Sequence, residues 1–147
     1  MQKLQDIEVR TETARPQASC YGNVLPILHE ILHALQRLVD RGKNTTIDLQ
    51  SIPFGPGDEE ELLSSLGQGE VRVSLDSLGI SEIWESRYQG VWIVEHKNAA
   101  DERITLQVEV TRIPEILKSQ TMDIAASISR LDDQLTADAS GMRGRND

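Results

Sequence analysis

The residues with the clearest chemical spacing are His29, Glu30 and His33, which form the pattern HExxH. On a helix, histidines four residues apart share a face and can bind one zinc ion, with the glutamate as general base for a water molecule. Gln36 and Val39 stand where one class of zinc peptidase needs glycine and a third histidine. A zinc-dependent hydrolase therefore remains an alternative whose third ligand has to be a downstream carboxylate.

The helix that carries this motif predicts a different role for the two histidines. Leu28, Leu32 and Leu35 recur at helical spacing and indicate a buried stripe, while His29 and His33 lie on its polar shoulder. Solvated polar side chains usually occupy such a shoulder. We therefore favour a polar helix flank, with no metal and no cofactor.

Other reactive residue types do not form a catalytic set. The stretch GPGDEE (55–60) lacks the Gly-Lys-Ser/Thr of a phosphate loop, and its carboxylates repel phosphate, so it indicates a shaped turn before a helix. His96 shares a predicted strand face with Trp92 and is interpreted as a partly buried structural histidine. The single cysteine, Cys20, permits no internal disulfide. We expect a protein that is not an enzyme.

Composition excludes two classes of partner. The 147 residues contain 24 Asp and Glu against 15 Lys and Arg, a net charge of -9, and the cations are scattered, which argues against nucleic acid. No apolar run approaches the ~20 residues of a membrane span, so no membrane insertion is expected. The first residues lack the apolar core of a secretory signal, which predicts a cytoplasmic protein.

Periodicity predicts the elements that position these residues. Helical spacing after Pro26 and a C-terminal Gly42 predict a helix over 25–41, and Asp58 is expected to be the N-cap of a second helix that Gly67 ends. A strand is expected over 45–49, and alternation from Glu70 to Thr111 predicts an antiparallel meander of four strands. A third helix is expected to open at Pro114.

The expected fold is α+β, an antiparallel sheet of about four to five strands with helices packed on one face. We divide the chain into a flexible arm (1–23), one folded domain (24–134) and a disordered tail (135–147).

Three sequence segments together resemble the C-terminal domain of the hydrogenase expression protein family known as HupH, HyaF or HoxQ. They are LPILHEILHALQRLVDRGKNTTIDLQSIPFGPGDEEELLSSLGQGEV (25–71), SEIWESRYQGVWIVEHKN (81–98) and VEVTRIPEIL (108–117), in the order that the family has them. The resemblance covers about residues 24–118. It implies an accessory, chaperone-like protein for maturation of a nickel-iron uptake hydrogenase, which binds the iron-sulfur small subunit or another maturation factor. No peptidase activity is associated with the helical motif in this family.

The candidate partner surface follows from the residues within these segments. Large aromatic side chains and arginine are favoured at binding hot spots, although Trp92 is equally suited to a core. A homodimer is a further alternative. The candidate surface comprises Arg87, Tyr88, Gly90 and Trp92, together with Gly55, Gly57 and Asp58.

Overall fold

The structure is a computed structural model, and it describes residues 22–143. The predicted arm (1–23) lies outside the described residues up to position 21, as does Cys20. The chain divides after Arg112 into two compact units, which are described separately.

The first helix confirms the predicted boundaries almost to the residue. Helix α1 spans Val24–Arg41 and ends at Gly42, whose φ of 65° is the left-handed conformation that glycine adopts at low cost. The Gly42 N–H donates to the Leu38 carbonyl and the Lys43 N–H to the Arg37 carbonyl, which satisfies two groups that the helix end leaves unpaired.

A five-stranded antiparallel sheet confirms the predicted α+β fold. The four strands of the meander are consecutive neighbours, and the early strand pairs with the last of them, so the sheet order is β1-β5-β4-β3-β2. The strands are β1 (Thr45–Asp48), β2 (Arg72–Asp76), β3 (Ile80–Glu85), β4 (Val91–Lys97) and β5 (Arg103–Val110).

One face of this sheet forms the main core with α1 and α2 (Asp58–Leu66). Val91 pairs with Val110 and Ile93 with Val108, so alternate residues of β4 and β5 present one apolar surface. Leu62 and Leu66 of α2 and the buried residues of α1 belong to the same cluster. Arg103 adds a polar link, because its guanidinium reaches Glu59 of α2 at 2.6 Å and Glu95 of β4 at 2.8 Å.

The buried face of α1 differs from the predicted leucine stripe. Its buried residues are Val24, Ile27, Ile31, Ala34 and Leu38. Leu28 and Leu35 are half-buried, and Leu32 is 49% exposed. The prediction that Leu32 is buried is therefore wrong. Apolar residues cover more than one face of α1, so periodicity alone does not select the buried face, and the small Ala34 allows that face to approach the sheet closely.

The long helix of the second unit begins later in the sequence than predicted. Pro114 has extended backbone (ψ 138°) and its carbonyl accepts from Leu117 in a 3-10 helix, Glu115–Leu117. Helix α3 starts at Thr121 and continues to Arg143, so the residues from 135 to 143 that we expected to be disordered are helical. The rest of the predicted tail, 144–147, lies outside the described residues. None of the described helices combines the length and apolar character needed to cross a bilayer.

Candidate functional site

The HExxH residues lie on the outer surface of α1. His29, Glu30 and His33 are all exposed, and they flank the buried face rather than a cavity. Within residues 22–143, no three or more His, Cys, Asp or Glu side chains are grouped so that they could hold a metal ion. The structure therefore gives the zinc-hydrolase alternative no support.

A tight turn between β3 and β4 presents Tyr88 to solvent. The buried Ser86 hydroxyl accepts from the Tyr88 N–H and donates to the Tyr88 carbonyl, both at 3.0 Å. Gly90 has a φ of 85°, which favours glycine, and its N–H donates to a carboxylate oxygen of Glu85 at 3.2 Å. These bonds fix the backbone of the turn while the Tyr88 side chain is 49% exposed.

This turn lies against α1 and forms an apolar groove with it. The groove encloses about 210 Å³, and Tyr88 forms one wall while α1 forms the other. Gly90 also lies close to α1, since a β-carbon at this position would be 3.6 Å from the Leu35 side chain. We call this feature the Tyr88 groove, which is lined by Leu28, Ile31, Leu32, Leu35, Leu66 and Tyr88.

Arg87 joins the turn to the end of α2. Its N–H donates to the Leu66 carbonyl at 2.9 Å. Its side chain lies so close over Gly67 that a β-carbon there would come within 2.6 Å of the guanidinium Nε. Because Leu66 also lines the Tyr88 groove, Arg87 lies at the groove's edge, where it both supports the turn and remains exposed.

Trp92 belongs to the protein interior instead. It is 5% exposed, and its indole N–H donates to the Thr111 carbonyl at 3.1 Å. Residues on both faces of β4, the middle strand of the sheet, are buried, and Trp92 lies on the face shared with Val94 and His96. His96 is half-buried with its Nδ1 2.7 Å from the Ser81 hydroxyl. Trp92 is therefore buried, unlike Arg87 and Tyr88 of the same predicted group.

The loop before α2 forms a separate feature. Asp58 is buried, and its carboxylate accepts the Gly55 N–H at 3.0 Å, while Gly57 precedes the helix with a φ of 83°. The expected cap of α2 by Asp58 is thus replaced by a cap at Gly57, with Asp58 holding the loop. Since α2 has nine residues, about 13 Å of helix separates this loop from the Leu66 end. The two predicted groups of site residues do not form one surface.

Sequence reasoning missed the leucines of the groove because it assigned them to the core. The sequence does contain a signal for a second apolar face of α1. Spacings of three and four residues, typical of the seam between paired helices, recur in Leu25, Leu28, Leu32, Leu35 and Val39. That seam is separate from the buried face, and Leu25, Leu32 and Val39 are exposed.

The fold is a two-layer α+β domain, with an apolar groove on its surface beside a tight β-turn. Residues 22–137 match the family described as HupH hydrogenase expression protein, C-terminal conserved region. The chain belongs to this family, as the sequence resemblance predicted.

Individual relatives agree with the family assignment. The hydrogenase expression/formation protein HoxQ of Azotobacter vinelandii is 33% identical over 111 residues, which are 74% of this chain and 39% of the relative. HupQ of Azotobacter chroococcum mcd 1, of the same description, is 32% identical over 111 residues, with the same coverage of 74% and 39%. The chain thus spans about two fifths of the length of these relatives.

A solved structure has the same fold. The hydrogenase expression protein HupH from Thiobacillus denitrificans ATCC 25259 is 40% identical, with a TM-score of 0.76. The match covers 79% of this chain and 97% of that one.

Proposed function

We propose that this chain is a cytoplasmic, non-catalytic accessory protein in the maturation of a nickel-iron uptake hydrogenase, and that it binds the iron-sulfur small subunit. The proposal is supported by the family match over residues 22–137, together with the names of the relatives as hydrogenase expression proteins. Another maturation factor is the second candidate partner, and association of two copies of the chain is a further proposal.

The Tyr88 groove is the surface that we propose for this contact. Its volume of about 210 Å³ is below the ~300–1,000 Å³ of typical small-molecule pockets, so it suits one or two side chains of a protein partner. Its exposed tyrosine is held by a rigid turn, which lowers the conformational entropy lost on binding. Arg87 at the edge adds a cation of the type found at hot spots.

Capture of the purified small subunit by surface-immobilised chain tests the proposal. Leu32→Ala and the double variant Arg87→Ala/Tyr88→Ala are expected to weaken capture at least about tenfold, or 1.4 kcal/mol, because each removes a wall or an anchor of the groove. Leu78→Ala is the matched control, since Leu78 is 96% exposed but lies in the turn between β2 and β3. It should change capture less than about twofold.

Three results would contradict parts of the proposal. Equal capture by the groove variants and the control would place the interface elsewhere on the chain. A large fall in melting temperature for the double variant would assign Arg87 and Tyr88 a structural role. Capture of a maturation factor, with none of the small subunit, would replace the proposed partner with the second candidate.

A further inference from the structure

Helix α3 carries an apolar stripe on an otherwise polar surface. Over its 23 residues, every side chain from Thr121 to Met142 is exposed. Ile124, Ile128, Leu131 and Leu135 are spaced by four, three and four residues, and each is more than half exposed. In proteins, most helical stability comes from packing an amphipathic face rather than from helix propensity. The exposed stripe is therefore suited to packing against a partner surface.

We propose that two copies of this chain associate through α3, with the two α3 helices antiparallel. In the register that pairs Ile128 with the partner's Leu131, Ile124 pairs with the partner's Leu135. Two-fold symmetry repeats both contacts, so all eight apolar side chains are used. This inference rests on the proposed association of two copies and is independent of which hydrogenase component the chain binds.

The charges of α3 favour the antiparallel orientation of two copies over the parallel one. The next position of the stripe is Asp138. In a parallel pair the two Asp138 carboxylates would oppose each other within the seam, which is unfavourable. In the antiparallel register Asp138 instead lies beside the partner's Thr121, the first residue of the partner's helix, where the helix dipole stabilises a carboxylate.

The residues that flank the stripe are compatible with close pairing. Ala125 and Ser127 are small and lie beside the seam, which allows two helices to approach closely. In the antiparallel register Asp132 lies near the partner's Ala125 rather than near a second aspartate. The net charge of -9 on each copy opposes association, so we expect a weak dimer whose population rises with protein concentration.

Sedimentation equilibrium from about 1 to 500 µM tests the association. The wild-type chain should show a monomer–dimer equilibrium, and Leu131→Asp should raise the dissociation constant at least about tenfold. Ala126→Asp is the matched control, because it adds the same charge on the opposite side of α3 and should leave the dimer intact. Circular dichroism of all three proteins checks that α3 remains helical.

Cross-linking tests the orientation without a charge in the seam. In a Cys20→Ser background, Ile128→Cys and Leu131→Cys proteins are mixed and oxidised with copper phenanthroline. Antiparallel pairing predicts mainly the mixed disulfide between the two variants, whereas predominance of the two self-disulfides would overturn the orientation.

Two further results would overturn the inference. A wild-type chain that is monomeric at every concentration contradicts any dimer, and an unchanged dimer in Leu131→Asp removes α3 from the interface. Capture of the small subunit is measured separately with the groove variants. A monomeric chain that still captures the subunit therefore refutes this inference and leaves the proposed function standing.

Discussion

Two residues of α1 allow folding and partner binding to be perturbed separately. Ile27 is 4% exposed, belongs to the core cluster and does not line the Tyr88 groove, whereas Leu32 is 49% exposed on that groove. Ile27→Ala should destabilise the fold by about 2 to 5 kcal/mol, the usual range for truncating a buried aliphatic side chain. We expect little additional effect on capture once the protein is folded.

The expected effect of Leu32→Ala is smaller on stability and larger on binding. Burying a whole leucine contributes about 1.5 to 3 kcal/mol, so a half-exposed one contributes roughly half of that. Alanine is also the better helix former, which offsets part of the loss. Leu32→Ala should therefore cost less than about 1.5 kcal/mol while weakening small-subunit capture about tenfold.

Urea denaturation monitored by circular dichroism measures the free energy of unfolding, and the capture assay measures binding of the small subunit. The two variants should have the same denaturant dependence, the m-value, as the wild type, so that midpoints compare directly. A loss above about 2 kcal/mol for Leu32→Ala would show that the leucine contributes to the fold like a buried residue. Unchanged capture by the same variant would remove it from the interface.

Three further predictions concern the polar residues. The double variant His29→Ala/His33→Ala should bind no less zinc than the wild type in equilibrium dialysis and should retain its melting temperature, because both histidines are exposed. Asp58→Ala should cost about 1 to 3 kcal/mol in urea denaturation, since the Gly55 N–H loses the buried carboxylate that accepts its hydrogen bond. The pKa of Asp48 is lowered chiefly by the hydrogen bond from the Ser51 hydroxyl. The ionised Asp48 therefore stabilises the fold at neutral pH, and this contribution is lost as the pH falls through the pKa of the folded state. Ser51→Ala should raise that pKa in an NMR titration.

The elements most accurately predicted from the sequence are those with local causes. The end of α1 at Gly42 and the turn at Gly90 both depend on conformations that glycine favours, and the alternation of β5 reflects one buried face. The start of α3 was missed because Pro114 favours a first helical turn but here has extended backbone before a 3-10 helix.

The site was harder to predict because it depends on contacts between distant segments. The sequence alone does not show that β1 pairs with β5, which makes β5 an interior strand, or that the indole N–H of Trp92 donates to the Thr111 carbonyl. It also does not show that Tyr88 and the Gly55–Asp58 loop lie toward opposite ends of α2. Propensity and spacing identify the residue types, whereas packing decides which of them reach the surface.

Helix α1 has two apolar surfaces, and only one of them is needed for folding. The buried face contains the small Ala34, which brings the helix close to the sheet, while Leu32 and its neighbours form a wall of the Tyr88 groove. A residue retained only to stabilise the core would gain more from full burial than from half-exposure. The half-exposed leucines therefore favour a role in binding, which the contrast between Ile27→Ala and Leu32→Ala measures directly.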